Sequence, residues 1–245
     1  MTSSVDHEQH PIGLSIGLHL LPGLIIFLVY IFIARVVMAW GFPPNFALAM
    51  AFLFIGIPFE LGILFYQGKK QNGAFSLEGV VLYRNAKPYW LYFLIVPLLA
   101  YAALMSVLIE PVSTFLTGTV FSALPDWFLD PSGERAQSLS RGTLVVFLAS
   151  NLIIDGIANP VVEELYFRGY LMPRISRFKA WAPLLHAGLF AMAHLWQPQN
   201  IPLIFLLVAP LYYLLWWKEN IYLSIAVHSL ANLIGAVLII GTYLG

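Results

Sequence analysis

The chain contains no cysteine and very little charge: 12 Lys+Arg and 12 Asp+Glu make up 10% of its 245 residues. The missing thiols exclude disulfides, a thiolate zinc site and a cysteine nucleophile. A soluble domain carries roughly 25% charged residues, so the shortage of charge argues against an ordinary water-soluble fold. The formal net charge is zero, which leaves no basic footprint for a nucleic-acid partner. The N-terminus has neither a basic leader region nor a small-residue cleavage site, so the first apolar run reads as a retained helix. No internal repeat is visible.

Apolar sequence takes the place of charge. Hydrophobic residues make up 60% of the chain and the mean hydropathy is +0.82. The expectation is an all-α, polytopic transmembrane helical bundle in a single domain. Helices are expected near 12–40, 46–66, 89–109, 142–172, 183–196, 201–217 and 221–244. The first three form an N-terminal group within 12–110, and the last four a catalytic group within 142–244. Residues 111–141 lie between as a loop or interfacial segment. If 111–128 spanned the membrane the count would be eight rather than seven, and the N-terminus would change sides. Pro160 is expected to kink or break the fourth helix. The polar start, with Asp6, His7, Glu8 and His10, reads as a frayed tail.

With seven spans, the loops after the second, fourth and sixth hold Lys69, Lys70, Arg84, Lys87, Arg168, Arg174, Arg177, Lys179 and Lys218. The opposite side holds Arg35, Arg135 and Arg141, and also the acids Asp126, Asp130 and Glu134, which carry little weight in this rule. The positive-inside rule then makes the first side cytoplasmic, with the N-terminus in and the C-terminus out.

Scarce charges inside apolar helices need a reason, because an ionisable group at membrane depth costs at least a few kcal/mol. The stretch Pro160-Val-Val-Glu-Glu-Leu-Tyr-Phe-Arg-Gly-Tyr170 places Glu163 and Glu164 side by side. Glu164 and Arg168, at i and i+4, can pair on one helix face. Glu163 points roughly 100° away and lacks that partner. His194 follows Phe190 by one turn, and His228 precedes Asn232 by one turn. At 1.5 Å per residue, Glu163, His194, His228 and Asn232 fall roughly 12–18 Å from the expected cytoplasmic helix ends. Three separate helices thus bring polar groups to one depth.

Water activation is the chemistry that fits. A sheltered carboxylate can act as general base, a neighbouring histidine can hold the water, and His228 and Asn232 can donate to a developing oxyanion. Glu163, His194 and His228 could instead ligate zinc with an open position. His186 reads as an interhelical hydrogen-bonding histidine, and Asn232 alone would be helix glue. Glu60 reads as a carboxylate near the interface or paired with Arg35, with a cavity-lining role as the alternative. Tyr212, Tyr213, Trp216 and Trp217 read as an interfacial aromatic belt, or else as the border of a lipid-chain path.

Glu163-Glu164-x-x-x-Arg168, Phe190-x-x-x-His194 and His228-x-x-x-Asn232 resemble, in order, the three motifs of the CPBP family of CAAX proteases, bacteriocin-processing and abortive-infection proteins. Phe167-Arg168-Gly169 is similar as well. The resemblance covers about residues 143–240 and implies an intramembrane endopeptidase with a site open to the cytosol of a prokaryotic-type plasma membrane. It implies Glu163 as base, His194 as its partner, His228 and Asn232 as oxyanion stabilisers, and supporting roles for Glu164 and Arg168. The family is described both as metalloproteases and as glutamate-dependent proteases, so zinc stays open. The implied partners are the lipid bilayer and a peptide or lipidated protein substrate, with no nucleic acid. The alternative is a non-catalytic immunity or peptide-binding protein of the same family, and a proton-coupled transporter is a weaker third reading.

Overall fold

The computed structural model describes residues 8–130 and 139–244. His7 and Asp6 of the N-terminal tail, and Glu134 and Arg135 of the central loop, lie outside the described residues. Among the described residues the secondary structure is helical apart from an isolated bridge between Arg84 and Asn220. The helices are α1 Ile12–Ala39, α2 Pro44–Asn72, α3 Tyr89–Gly118, α4 over 141–171, α5 Ala182–Ala193, α6 Ile201–Lys218 and α7 Ile221–Leu244.

Six helical stretches are long and apolar enough to cross a membrane. One of them, Arg141–Ala193, contains both α4 and α5. The chain turns back between these two through Met172–Trp181, where Lys179 adopts φ 52°, ψ −128°. The return is packed by Phe167 against Phe190, with ring centroids 5.1 Å apart. The polytopic helical bundle expected from composition is therefore present.

Residues 111–128 do not make a separate interfacial or membrane-crossing helix. Apolar positions continue beyond Pro111, so α3 runs on to Gly118, and only a short turn, Asp126–Leu129, follows. Hydroxyls of Ser106 and Thr119 bond back to the carbonyls of Ala102 and Phe115 along this helix. Leu91, in the first turn of α3, is buried, but no residue from Ile95 to Gly118 is, and the helix presents Phe93, Val96 and Val107 outward, as a lipid-facing helix would.

Pro160 does not break α4, which continues through it. A π-helical stretch, Asn151–Ala158, precedes it, and a second, Glu164–Leu171, follows. Pro160 stands near the start of the α-helical turn between them, where its missing N–H is least costly. π stretches of this kind are common where helices carry function.

Two close approaches fix this arrangement. A Cβ at Gly23 would stand 2.1 Å from the Ala193 carbonyl oxygen, so only glycine lets α1 meet the end of α5. A Cβ at Gly169 would stand 2.6 Å from Val81. The loop after α2 crosses there: Leu82 N–H donates to Gly169 O (2.8 Å), and Ile221 N–H donates to Tyr83 O (2.8 Å). This loop ties the ends of α4 and α7 together.

The buried apolar side chains form two clusters. One gathers Leu64, Tyr166, Phe167, Phe190, Tyr212 and Val227; the other gathers Ile26, Tyr30, Phe52, Ile154 and Trp196. The polar residues singled out from the sequence lie where these clusters meet.

Candidate active site

Glu163 and Glu164 face different partners, as adjacent helical residues must. Glu164 is fully buried and holds three of them. Its Oε1 lies 3.4 Å from Arg168 Nη1, Ser224 Oγ donates to its Oε2 (2.5 Å), and His228 Nδ1 donates to Oε1 (2.8 Å). The pair with Arg168 expected from the i, i+4 spacing is present, but it is one corner of a larger network. The Arg168 guanidinium lies over the rings of Phe190 (3.9 Å) and Tyr212 (4.4 Å), so aromatic faces help compensate a buried cation. Tyr212 therefore belongs to the core rather than to an aromatic belt, whereas Trp217 is exposed.

Glu163 is also buried; Arg168 pairs with Glu164 rather than with it, as the spacing implied, and it has partners of its own. Asn159, one turn earlier, donates from Nδ2 to Glu163 Oε1 (3.0 Å). The other carboxylate oxygen, Oε2, lies 3.9 Å from His228 Nε2. His228 thus stands between the two glutamates. Its Nδ1 is committed to Glu164, which fixes the ring orientation and leaves Nε2 directed toward Glu163.

His194 does not lie within a helix. α5 ends at Ala193, and His194 takes φ −80°, ψ 53° as its C-cap. Its Nδ1–H donates to Phe190 O (2.8 Å), so the side chain satisfies one of the carbonyls left open by the helix end. The ring is held between Phe190 and Trp196, at centroid distances of 4.6 and 4.8 Å. This leaves Nε2 without a hydrogen bond among the described residues.

Asn232, on α7, donates to the backbone carbonyl of Asp155 (2.9 Å), which lies in the first π stretch of α4. One of its two amide hydrogens is used in this way, so the interhelical role is present, and the second remains for a ligand. Close packing of α7 on α4 permits the contact: a Cβ at Gly156 would stand 2.7 Å from Leu233.

A cavity of about 380 Å³ opens between these elements. Glu163, Glu164, His194, His228 and Asn232 all contribute to its wall, together with Asp155 and Asn159. Arg168, Gln197 and Asn200 also line it, and the rest of the wall is apolar, with Leu98 and Ala102 from α3 and Leu203, Leu207 and Leu211 from α6. Every residue proposed from the three motifs is thereby brought to one cavity. Among the described residues, however, no group of three or more His, Cys, Asp or Glu side chains is arranged to hold a metal ion. The Glu163–His194–His228 set does not fit zinc as it stands.

Sequence reasoning missed Asn159, Asp155 and Ser224. Asn159 lies four residues before Glu163, and Ser224 four before His228, so helical spacing from the motif residues was the available signal. Of the readings given for Glu60, the interface and the pair with Arg35 do not hold, since it is buried at 2% exposure and Arg35 is exposed; it lines a small cavity with Glu163 and His194, the alternative. His186 is the hydrogen-bonding histidine expected: with His19 Nδ1 donating to Ser15 O, His186 Nδ1 donates to His19 Nε2 (2.7 Å). The N-terminal residues are less frayed than expected from His10 onward. His10 N–H donates to Arg174 O (2.9 Å), and burial, with the nearby Arg174 charge, lowers the ring's pKa from 6.5 to about 4.

Residues 145–234 match the family model described as Rce1-like, type II CAAX prenyl endopeptidase Rce1-like. The matched stretch contains all three motifs and supports the resemblance drawn from them. No curated protein and no solved structure gives a significant match.

Proposed function

We propose that this multi-pass membrane protein is an endopeptidase that hydrolyses a peptide bond with water activated by Glu163. Glu163 takes a proton as the water oxygen attacks the carbonyl carbon. The carbonyl electron pair moves onto oxygen, where the His228 ring, as an imidazolium that keeps Nδ1–H on Glu164 and donates from Nε2–H, and the free amide hydrogen of Asn232 supply stabilisation. On collapse the C–N bond breaks, and Glu163 returns its proton to the leaving amine. His194 holds the water against Glu163, and Glu164 keeps His228 in the required orientation. No step in this scheme passes through a metal.

The observation that carries the reading is the convergence of Glu163, His194, His228 and Asn232 on one cavity with an apolar far wall. An apolar wall beside a water-activating acid suits a membrane-associated peptide, and in particular one with a prenylated C-terminal CAAX sequence. The basic loops favour a site on the cytoplasmic side, in a plasma membrane of prokaryotic type.

The test is incubation of purified wild type and Glu163→Gln with prenylated and unprenylated peptides, read by mass spectrometry. Wild type should cleave the prenylated peptides, and Glu163→Gln should be folded and inactive. Cleavage by a folded Glu163→Gln variant would remove Glu163 from the role of base.

A further inference from the structure

The turn between α5 and α6 carries two polar side chains to which the mechanism above gives no role. α5 has 12 residues, which is about 18 Å of helix against a membrane core of about 30 Å. It starts beside the exposed Arg177 and Lys179, so it ends within the membrane, and residues 194–200 lie at membrane depth. Irregular backbone at that depth is tolerated only inside protein or along a cavity. Gln197 and Asn200 of this turn both line the large cavity, with Glu163, His194 and His228.

The turn is tied to the site through its backbone. Gln197 N–H donates to His194 O (3.1 Å) and Asn200 N–H donates to Gln197 O (2.9 Å), so two hydrogen-bonded turns link His194 to the start of α6. Gln199 donates to Leu129 O (3.2 Å) and fastens the turn to Asp126–Leu129. Asn200 is the N-cap of α6, where an asparagine side chain ordinarily accepts from the first helical turn, yet it makes no such bond. Its Nδ2 donates to Gln197 Oε1 instead (3.2 Å). Gln197 Nε2 is left as a donor and Asn200 Oδ1 as an acceptor, both without a partner among the described residues and neither closed off from solvent. Exchanging O and N in both amides would leave the same two functions, one donor and one acceptor.

We infer that Gln197 and Asn200 form a main-chain subsite: Gln197 Nε2–H donates to the carbonyl, and Asn200 Oδ1 accepts from the N–H, of one substrate residue flanking the scissile bond. The inference rests on the cavity being a peptidase site. In an extended chain the N–H and C=O of one residue point the same way, as they do toward the partner strand of an antiparallel pair. The joined amides offer such a residue a complementary donor and acceptor side by side. His228 and Asn232 serve the scissile carbonyl, so the amide pair takes a neighbouring residue. It reads backbone and no side chain, so it holds peptides of different sequence in one register. Fixing one residue in this way presents the next peptide group to Glu163, and small misplacements of reacting groups are costly in rate.

The test is an ester scan of a prenylated peptide. The N–H of each residue flanking the scissile bond is replaced in turn by an ester oxygen, and the scissile N–H is kept. Cleavage by wild type, Gln197→Leu and Asn200→Leu is followed by mass spectrometry, with thermal unfolding measured in parallel. One hydrogen bond contributes a factor of about 3- to 10-fold. An ester at one position should lower wild-type kcat/KM by that factor, chiefly through KM, and should cost Asn200→Leu nothing further. On the all-amide peptide each variant should lose a similar factor. Both should melt close to wild type, because the bond joining the two amides is the one side-chain hydrogen bond either makes among the described residues. Should the variants fail to fold, the wild-type scan decides alone: a penalty at one position supports the subsite, and a flat scan overturns it. Wild-type kcat/KM in both folded variants also overturns it, as does an ester penalty that Asn200→Leu shares in full. If wild type cleaves no peptide, prenylated or unprenylated, the function proposed for the site fails instead; a flat scan by an active enzyme removes the subsite alone.

Discussion

Replacing Glu164 by glutamine tests the buried network most directly. The change keeps the shape and removes one charge. Glu164 is the anion nearest to an Arg168 that is 1% exposed, and it also accepts from Ser224 and His228. Breaking a buried ion pair by removing one partner costs about 3–5 kcal/mol, because the other charge remains without water. The Phe190 and Tyr212 faces over Arg168 offset part of this, so the lower end, about 3 kcal/mol, is expected. Removing the second charge as well, in Glu164→Gln/Arg168→Met, should recover most of the loss, since the stranded cation is gone. Activity should follow a different pattern. Glutamine can still accept from His228 Nδ1, but a neutral acceptor is weaker by about 1–2 kcal/mol, which is roughly tenfold in rate. The double variant should therefore be stable and still slow. Unfolding in detergent and steady-state cleavage measure the two quantities separately. A single variant as stable as wild type, or a double variant no more stable than the single, would refute the account of Glu164 and Arg168 as a buried pair.

Asn159→Leu removes the one side-chain hydrogen bond donated to Glu163. A bond to a charged group contributes about 1.5–3 kcal/mol, so kcat should fall about 10- to 150-fold; unchanged kcat would mean that Glu163 needs no such tether. Gly23→Ala forces a methyl group onto the Ala193 carbonyl, next to His194. It should destabilise the protein by about 1–3 kcal/mol and reduce cleavage, as measured by melting and turnover; a melting temperature equal to wild type would contradict the close approach of α1 and α5. Chelators should leave cleavage unchanged, because the described acid and imidazole groups do not converge on a metal position; loss of activity that zinc restores would reverse this. His10 is held neutral with a pKa of about 4, against an ordinary 6.5. The unfolded chain binds the extra proton first, so this contribution to stability is present above pH 6.5, is lost as pH falls toward about 4, and levels off below that. His10→Gln should flatten that part of the stability–pH curve, and an unaltered curve would show that His10 is not buried as described.

Much of this was legible because membrane helices are written in long apolar runs, and because charge within such runs is rare enough to be informative. Glu163, Glu164, His194, His228 and Asn232 stood out on those grounds alone, and the cavity collects all five. What could not be read was local geometry. The end of α5 at Ala193 depends on the His194 ring turning back to the Phe190 carbonyl, and no periodicity signals that choice. The π stretches around Pro160 were equally hidden, since a proline in a helix reads first as a bend. Glu60 was misplaced for another reason. Its neighbours on α2 are apolar, and the charged groups that act on it, Glu163 and Arg168, are more than 100 residues away in sequence.

The π stretches bear directly on why one glutamate of the adjacent pair remains at the cavity for chemistry while the other is fully committed. In a uniform α-helix, side chains at i and i+4 nearly align, so Asp155, Asn159 and Glu163 would form one stripe drifting slowly around the axis. Here α4 is π-helical up to Ala158, α-helical for Asn159–Glu163, and π-helical again from Glu164. A π turn takes up one extra residue, so the stripe is held toward the cavity through Asp155 and Asn159 to Glu163, and all three line it. The change of winding falls at the Glu163–Glu164 junction. Glu164, Arg168 and Ser224 can then close a buried network on the α7 side, while Glu163 stays at the cavity wall. An insertion or deletion that restored plain α-helical winding before Asn159 would rotate Glu163 away from His228 without altering any of the three motifs. The motif letters are therefore insufficient for a working site, and the winding of α4 between Asn151 and Leu171 is the further condition.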